Sequence, residues 1–252
     1  MRVHVALTPA GFSDAPLSGR VALVVDVLRA TTASVAACDA GCRRLVPVPD
    51  AEAAEAMAAR DGTGTILAGE RGGEALVGFH LGNSPAEFTA DRVGGRTVVL
   101  TTTNGTAAML TAARAAAAGL AALTNVTAAA GWALAQGRDV TVLCAGDNGS
   151  FSLEDTVCAG LLVARLTDAV PGAVLSEGAQ AALGLGRHYG ARLGRLAGDS
   201  GWGRKLERLG RAADLAWCLR ADVSVVVPVF VAGGFSPWRA AATATVGSES
   251  RA

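Results

Sequence analysis

The chain has 252 residues, of which 51% are hydrophobic, enough for one large domain with a sizeable core. Lysine plus arginine total 22, aspartate plus glutamate also total 22, and no block of basic residues occurs. With this balance the chain lacks the basic surface that is typical of nucleic-acid-binding proteins. No apolar run is long enough to predict a membrane-spanning helix.

Strand and helix patterns alternate along the first two thirds of the chain. Runs rich in Val and Leu predict strands at 2–7, 21–26, 44–48, 65–68, 96–101 and 139–144. Alanine-rich segments predict helices at 32–40, 50–60, 106–117, 126–136 and 153–167. Continuously apolar strands are typical of a parallel sheet that is covered on both faces. The pattern therefore predicts a layered α/β/α fold with a mainly parallel or mixed central sheet.

The domain organisation follows from the same pattern. Residues 1–240 are predicted to form a single α/β domain, within which about 1–120 and 121–240 are candidate halves. The apolar run Val223–Val229 predicts a late strand, and the small polar tail 241–252 is expected to be flexible. Five scattered cysteines do not indicate a disulfide framework, and reduced thiols suggest a cytoplasmic protein.

The first polar loop follows the strand predicted at 21–26. Asp26 ends that strand, and Arg29, Thr31 and Thr32 follow at the start of a predicted helix. A carboxylate can hold a cation while a guanidinium hydrogen-bonds to phosphate oxygens, so this loop suits a metal-bound phosphate, with Thr31 and Thr32 as candidate substrate contacts. The alternative is a plain ion pair between Asp26 and Arg29 with a threonine helix cap.

A long glycine-rich loop occupies residues 67–85 and carries Glu70 and Arg71. Long loops without their own periodicity are often functional, although a surface linker is the alternative. Glu70 is a candidate to join Asp26 at a metal ion, and Arg71 is a candidate to face a second anionic group.

The stretch TTTNGT follows the next apolar strand. Gly105 allows close approach of a ligand to the backbone, and Thr102, Thr103, Asn104 and Thr106 add polar side chains. Free N–H groups at the start of the following helix favour an anion, so this segment is a candidate phosphate site. A simple helix cap by Asn104 or Thr106 is the alternative.

A third polar loop precedes the helix predicted at 153–167. Glu154 and Asp155 lie in its first turn, where acids complement the helix dipole, and Ser152 with Asp155 resembles a capping box. A hard cation also prefers clustered carboxylates. All three loops follow strands of the predicted parallel sheet, whose carboxyl edge is where ligands bind in open α/β folds.

Taken together, these segments resemble the 2-phosphosulfolactate phosphatase family. The motifs that carry the resemblance are DVLRATT (26–32), GERGG (69–73), GFHLGNSP (78–85), TTNGT (102–106), CAG followed by FSLEDTVCAG (144–160), SGWG (200–203), DLAWCLRAD (214–222) and VVPV (226–229). The set spans nearly the whole chain in the expected order. One departure is Trp202, which stands where the family pattern commonly has histidine.

The resemblance implies a magnesium-dependent phosphatase that converts 2-phospho-3-sulfolactate into sulfolactate and phosphate, a step linked to coenzyme M formation in some organisms. The implied partner is therefore a small phosphorylated molecule, and a homodimer is left open. We expect Mg²⁺ to be held by Asp26 with help from Glu70, Glu154 or Asp155.

The same interpretation gives roles to the remaining polar residues. Arg29 and the helix start at 102–106 are expected to bind the phosphoryl oxygens, and Arg71 to pair with the sulfonate or carboxylate. Glu154 or Asp155 is expected to orient the attacking water as a general base.

Two alternatives stay open. The first is a covalent route through Asp26, which is disfavoured because Leu28 stands where aspartyl-phosphate enzymes typically carry a second acid. The second is a non-catalytic sensor of a phosphorylated metabolite, which is disfavoured because clustered carboxylates would repel such a ligand in the absence of a metal.

Overall fold

A computed structural model describes residues 1–13, 15–62 and 64–239 of the chain. The tail predicted at 241–252 lies outside the described residues. The strands are β1 Arg2–Ala6, β2 Val21–Val25, β3 Arg44–Pro47, β4 Thr65–Arg71, β5 Glu74–Ala75, β6 Thr97–Thr101, β7 Ala117–Ala121, β8 Val140–Cys144, β9 Val174–Leu175, β10 Val226–Val231 and β11 Gly234–Arg239. The α-helices are α1 Ala30–Asp39, α2 Ala51–Asp61, α3 Ala90–Val93, α4 Gly105–Ala112, α5 Val126–Ala135, α6 Leu153–Ala169, α7 Glu177–Tyr189, α8 Leu196–Asp199, α9 Gly201–Arg208 and α10 Ala212–Cys218.

All of these strands belong to one mixed sheet in the order β5-β4-β6-β3-β11-β10-β7-β2-β8-β1-β9. Strands β4, β6 and β3 form one parallel group, and β7, β2, β8, β1 and β9 form another. The antiparallel hairpin β10–β11 joins the two groups, pairing antiparallel with β7 on one side and β3 on the other. The predicted α/β fold with a mainly parallel or mixed sheet is confirmed.

Strand β2 shows how the layers are built. Val21, Leu23 and Val25 belong to a hydrophobic core shared with α5, α6 and α7. Ala22 and Val24, which alternate with them, belong to a second core shared with α1, α4 and residues of β3, β4 and β6. Helices α1 and α4 therefore pack on the same side of the sheet, against residues of both parallel groups of strands. Helix α1 follows β2 and α4 follows β6, and the N-terminal ends of the two helices lie close together.

One helix prediction is wrong at its C-terminal end. The helix predicted at 106–117 ends at Ala112, and Ala117 begins β7, which pairs in parallel with β2. At Gly119 an added Cβ would lie 2.7 Å from the ring of Trp132, so the indole packs directly on the strand backbone. Pairing and packing thus outweigh the high helix propensity of alanine in this segment.

The other predicted strands are found within a few residues of their expected bounds. The late strand predicted at Val223–Val229 is observed as β10, whereas its hairpin partner β11 was not predicted. The five cysteines are free and buried. In the described part of the chain, no helix is both long enough and apolar enough to cross a membrane.

Candidate active site

The loop after β2 is held by its own threonines. The backbone N–H of Asp26 donates to Thr31 Oγ1 at 3.0 Å, and that hydroxyl donates to the Asp26 carbonyl at 2.8 Å. The hydroxyl of Thr32 donates to the Val27 carbonyl at 2.8 Å. Both hydroxyls therefore stabilise the turn into α1, and their predicted contact with substrate stays a prediction.

The Asp26 carboxyl group is buried at the start of α1, where its Oδ1 accepts the N–H of Ala30 at 3.1 Å. Desolvation by burial raises the pKa of Asp26 to about 7, and the negative charges of Glu70 and Glu154 add to the shift. A nearby cation would stabilise this group, because it would lower the free-energy cost of ionising a buried carboxyl group.

Gly105 is where the loop after β6 meets Asp26. A Cβ at this position would lie 2.6 Å from Asp26 Oδ2 and 2.5 Å from the Cβ of Ala30. Any residue with a side chain would push the start of α4 away from the start of α1. The structure thus brings together two loops that the sequence placed at the end of separate strands.

Within the loop after β6, Thr102 and Thr106 hydrogen-bond to each other. Thr102 Oγ1 accepts the N–H of Thr106 at 3.1 Å, and Thr106 Oγ1 donates to the Thr102 carbonyl at 3.1 Å while accepting the Thr102 N–H at 3.3 Å. Asn104 Oδ1 accepts the N–H of Asn148 at 3.1 Å. These side chains shape the loop and tie it to the segment after β8.

Glu70 connects the glycine-rich loop to the loop after β6. Its carboxylate is buried and accepts two backbone N–H groups, from Thr103 and from Gly73, each at 2.7 Å. The N–H of Gly72 donates to Thr103 Oγ1 at 3.2 Å. The Arg71 guanidinium turns back onto its own strand, where it donates to the Glu70 carbonyl at 2.7 Å and to the end of β6.

Asp155 connects the loops after β2 and β8. Its Oδ1 accepts the N–H of Val27 at 2.8 Å, and its Oδ2 accepts the N–H of Gly146 at 3.0 Å. Burial, together with the charges of Asp26 and Glu154, raises the pKa of Asp155. Ser152 caps α6 by accepting the Asp155 N–H at 3.2 Å, as the capping-box pattern predicts.

Glu154 lies one residue earlier and is also buried. Burial raises the pKa of its carboxyl group, although hydrogen bonds with the hydroxyls of Ser200 and Ser152 oppose the shift. Ser200 in turn caps α9 by accepting the N–H of Gly203 at 2.9 Å. Glu154 therefore lies near Ser200, the residue that caps α9.

The partner of Arg29 is Asp214, not Asp26. Arg29 Nη1 donates to Asp214 Oδ2 at 2.5 Å, and Nη2 donates to the Gly73 carbonyl at 2.7 Å. Ser84 Oγ donates to the other carboxylate oxygen of Asp214. Both members of this ion pair are buried. The alternative of a plain Asp26–Arg29 pair is therefore wrong, and sequence reasoning assigned no role to Asp214.

A small cavity with an accessible volume of about 10 Å³, room for about one water molecule, collects several of these groups. It is lined by Asp26, Leu28, Arg29, Glu70, Asn83, Asn104 and Trp202. Asn83 and Trp202 were not predicted as site residues, although both lie in motifs noted in the sequence, GFHLGNSP and SGWG. Asn83 Oδ1 and Trp202 Nε1 are buried without a hydrogen-bond partner in the described part of the chain.

The four predicted metal ligands do not form a compact carboxylate cluster. Among the described residues, no group of three or more His, Cys, Asp or Glu side chains is arranged to hold a metal ion. Asp26 and Glu70 line the cavity, whereas Glu154 and Asp155 do not, and Asp155 accepts two backbone N–H groups. The metal-binding roles stay predictions.

The fold and the cavity define a class. An α/β domain with a small buried pocket that combines acids, an arginine and helix starts is typical of an enzyme acting on a compact anionic substrate. Comparison with known proteins identifies the family within this class. The model of the family described as 2-phosphosulpholactate phosphatase matches residues 6–233, so the chain belongs to that family, whose members are phosphoric monoester hydrolases.

Similar curated proteins carry the same description. A probable 2-phosphosulfolactate phosphatase of Symbiobacterium thermophilum is 40% identical over 86% of this chain and 94% of its own length. One from Deinococcus radiodurans is 39% identical over 94% of this chain and 96% of its own length. One from Thermotoga maritima is 35% identical over 92% of this chain and 97% of its own length. The family resemblance indicated by the motifs is thus confirmed.

Proposed function

We propose that this enzyme hydrolyses 2-phospho-3-sulfolactate to sulfolactate and phosphate, and that it uses Mg²⁺. The observation that carries the proposal is the cavity in which the Asp26 carboxyl group, the fixed Arg29 guanidinium and the loop before α4 meet. The substrate comes from the names of the relatives, all of which cover nearly the whole chain. The polar lining of the cavity suits a small phosphoester with two further anionic groups.

The residues present fit a magnesium ion. Mg²⁺ keeps several waters and is usually held by one or two carboxylates plus substrate phosphate oxygens, so a cluster of three acids is not required. Asp26 and Glu70 supply carboxylates at one cavity, and the buried Asn83 Oδ1 is an acceptor without a donor. Such an orphaned oxygen is explained by a cation or by a water on that cation. When bound, the ion would neutralise charge on the phosphoryl oxygens.

Arg29 binds the phosphoryl group in this proposal. Its guanidinium is oriented by Asp214 and the Gly73 carbonyl, so little side-chain entropy is lost when substrate binds. The first N–H groups of α4 add donors at the positive end of a helix dipole. These donors stabilise the negative charge that accumulates on the equatorial oxygens during transfer.

A water molecule attacks phosphorus, and the bond to the C2 oxygen of sulfolactate breaks. Neither of the two acids predicted as general base lines the cavity in this structure, and Glu154 is the better suited of the two. Asp155 uses both oxygens to accept backbone N–H groups, whereas Glu154 faces serine hydroxyls and has a raised pKa. A carboxylate with a raised pKa accepts a proton more effectively than one with an ordinary pKa.

The experiment is a phosphate-release assay on the purified chain. We expect release from 2-phosphosulfolactate in the presence of Mg²⁺, and its loss on treatment with EDTA. Recovery after excess Mg²⁺ is added back would separate metal removal from damage to the protein. Release that is insensitive to EDTA would contradict the metal part of the proposal, and no release from 2-phosphosulfolactate under any condition would contradict the substrate.

A further inference from the structure

The indole of Trp202 has an unusual environment. Trp202 lies in the first turn of α9 and is 6% exposed, and its Nε1–H has no acceptor among the described residues. A buried tryptophan N–H usually finds a partner, because leaving it unpaired forfeits the hydrogen bond that it makes with water in the unfolded chain. Since the same residue lines the candidate cavity, the missing acceptor points to a ligand.

The position of the ring is set by its neighbours. A Cβ on Gly73 would lie 3.4 Å from Cζ3 and 3.9 Å from Cη2, so the benzene edge of the indole faces Gly73. The nitrogen lies on the opposite, pyrrole side of the ring. The ammonium group of Lys205 stands 3.9 Å from a ring centroid, which adds positive charge beside the indole. The surroundings of the unpaired N–H thus favour a negatively charged acceptor.

The ring is also coupled to the phosphate-binding arginine. The Gly73 carbonyl accepts from Arg29 Nη2 at 2.7 Å, so the residue that faces the indole also binds the guanidinium. Ser200 caps α9, and Trp202, two residues later, lines the same cavity as Arg29. The indole N–H and the Arg29 guanidinium are therefore two donors on residues that line one cavity.

We propose that Trp202 Nε1–H donates to an oxygen of the sulfonate or carboxylate group of the substrate, and that this contact determines specificity. The proposal rests on the phosphatase function proposed above. Arg71, which the sequence suggested for this role, donates instead to the Glu70 carbonyl and to Thr101, and it does not line the cavity. The indole N–H has no such competing partner.

The test replaces Trp202 by phenylalanine, which keeps an aromatic ring and removes the N–H. Two substrates are compared: 2-phosphosulfolactate, which carries the second anionic groups, and 4-nitrophenyl phosphate, which lacks them. We expect Trp202→Phe to raise KM for 2-phosphosulfolactate about tenfold, because a hydrogen bond to a charged group contributes about that much affinity. KM and kcat for 4-nitrophenyl phosphate should stay within about twofold. The matched control is Trp217→Phe, since Trp217 is 39% exposed and does not line the cavity.

A second measurement keeps this inference separate from the proposed reaction. Binding of sulfolactate to wild type and to Trp202→Phe is measured by calorimetry, which needs no turnover. About tenfold weaker binding to the variant supports the contact even if no phosphoester is hydrolysed. Equal binding of sulfolactate to both proteins, or an equal loss of activity on both substrates, overturns it. Unchanged activity on 4-nitrophenyl phosphate also reports that the variant is folded.

Discussion

The loops after β2 and β6 have the same local arrangement, but their side chains differ in what they contact. Each follows a fully buried five-residue strand and leads directly into a helix. In the first loop, Asp26 and Arg29 reach the cavity while the threonine hydroxyls bond to the loop backbone. In the second, Thr102 and Thr106 bond to each other. The comparison indicates that threonine hydroxyls stabilise both loops, whereas the charged groups that line the cavity, Asp26 and Arg29, belong to the first loop alone.

Among the substitutions that test this comparison, Asp26→Asn is expected to have the largest effect on activity. We expect kcat/KM to fall by about a thousandfold or more, because the substitution removes a negative charge from the cavity while keeping the shape of the side chain. Steady-state phosphate release at saturating Mg²⁺ measures the effect. Asp91→Asn, at an exposed position in α3, is the control and should leave activity unchanged. Wild-type activity in Asp26→Asn at saturating Mg²⁺ would refute the assigned role.

A second prediction tests how Arg29 is held. Asp214→Asn leaves the guanidinium buried without its counter-charge, so we expect kcat/KM to fall by about a hundredfold and the protein to lose about 3 kcal/mol of stability. Kinetics and urea denaturation measure the two effects. Asp199→Asn breaks the exposed pair with Arg195 and should cost under about 1 kcal/mol with full activity. Equal stability losses in the two variants would show that the buried pair has no special role.

The sequence allowed much of the fold and part of the site to be predicted. The apolar runs that form β2 and β6 are uninterrupted. Their positions, and the polar residues Asp26 and Asn104 that follow them, could therefore be predicted directly from the sequence. Asp214 could not be paired with Arg29, because the two are 185 residues apart and only the tertiary fold joins them. The unpaired indole of Trp202 likewise depends on how α9 packs, which no local pattern encodes.

A third prediction concerns Asn104, which lines the cavity and accepts the N–H of Asn148. Asn104→Ala removes one tie between two loops but no charge. We therefore expect KM to rise by about fivefold with kcat within about twofold. Asn148→Ala is the matched control. The backbone N–H of residue 148 can still donate to Asn104 Oδ1, so we expect activity to be retained. Unchanged KM and kcat in Asn104→Ala would mean that the residue only shapes the loop.

The fourth prediction uses the raised pKa of Asp26. Its folded pKa of about 7 lies above the ordinary value of 3.8, so its contribution to stability is fully present below about pH 4 and is lost as pH rises through 7. In EDTA, Asp26→Asn should gain Tm relative to wild type between pH 5 and pH 8, by a few degrees. Replacing Asp26 also removes its repulsion of Asp155, so a lower pKa of Asp155 in the variant contributes to the same gain. A constant Tm difference across this range would contradict the shift, and added Mg²⁺ should reduce the difference by stabilising wild type.

The smallest effect is expected from Thr106→Val, which keeps the shape of the side chain and removes the reciprocal hydrogen bonds with Thr102. If hydroxyls in this loop serve architecture, the variant should lose about 1–2 kcal/mol of stability, because two buried backbone groups lose a partner, while KM stays within about twofold. Thr111→Val on the same helix is the matched control, since its hydroxyl donates only to the Ala107 carbonyl within the helix and should cost under about 0.5 kcal/mol. A large rise in KM at unchanged stability would instead make Thr106 a substrate ligand, and the two loops would then share their chemistry after all.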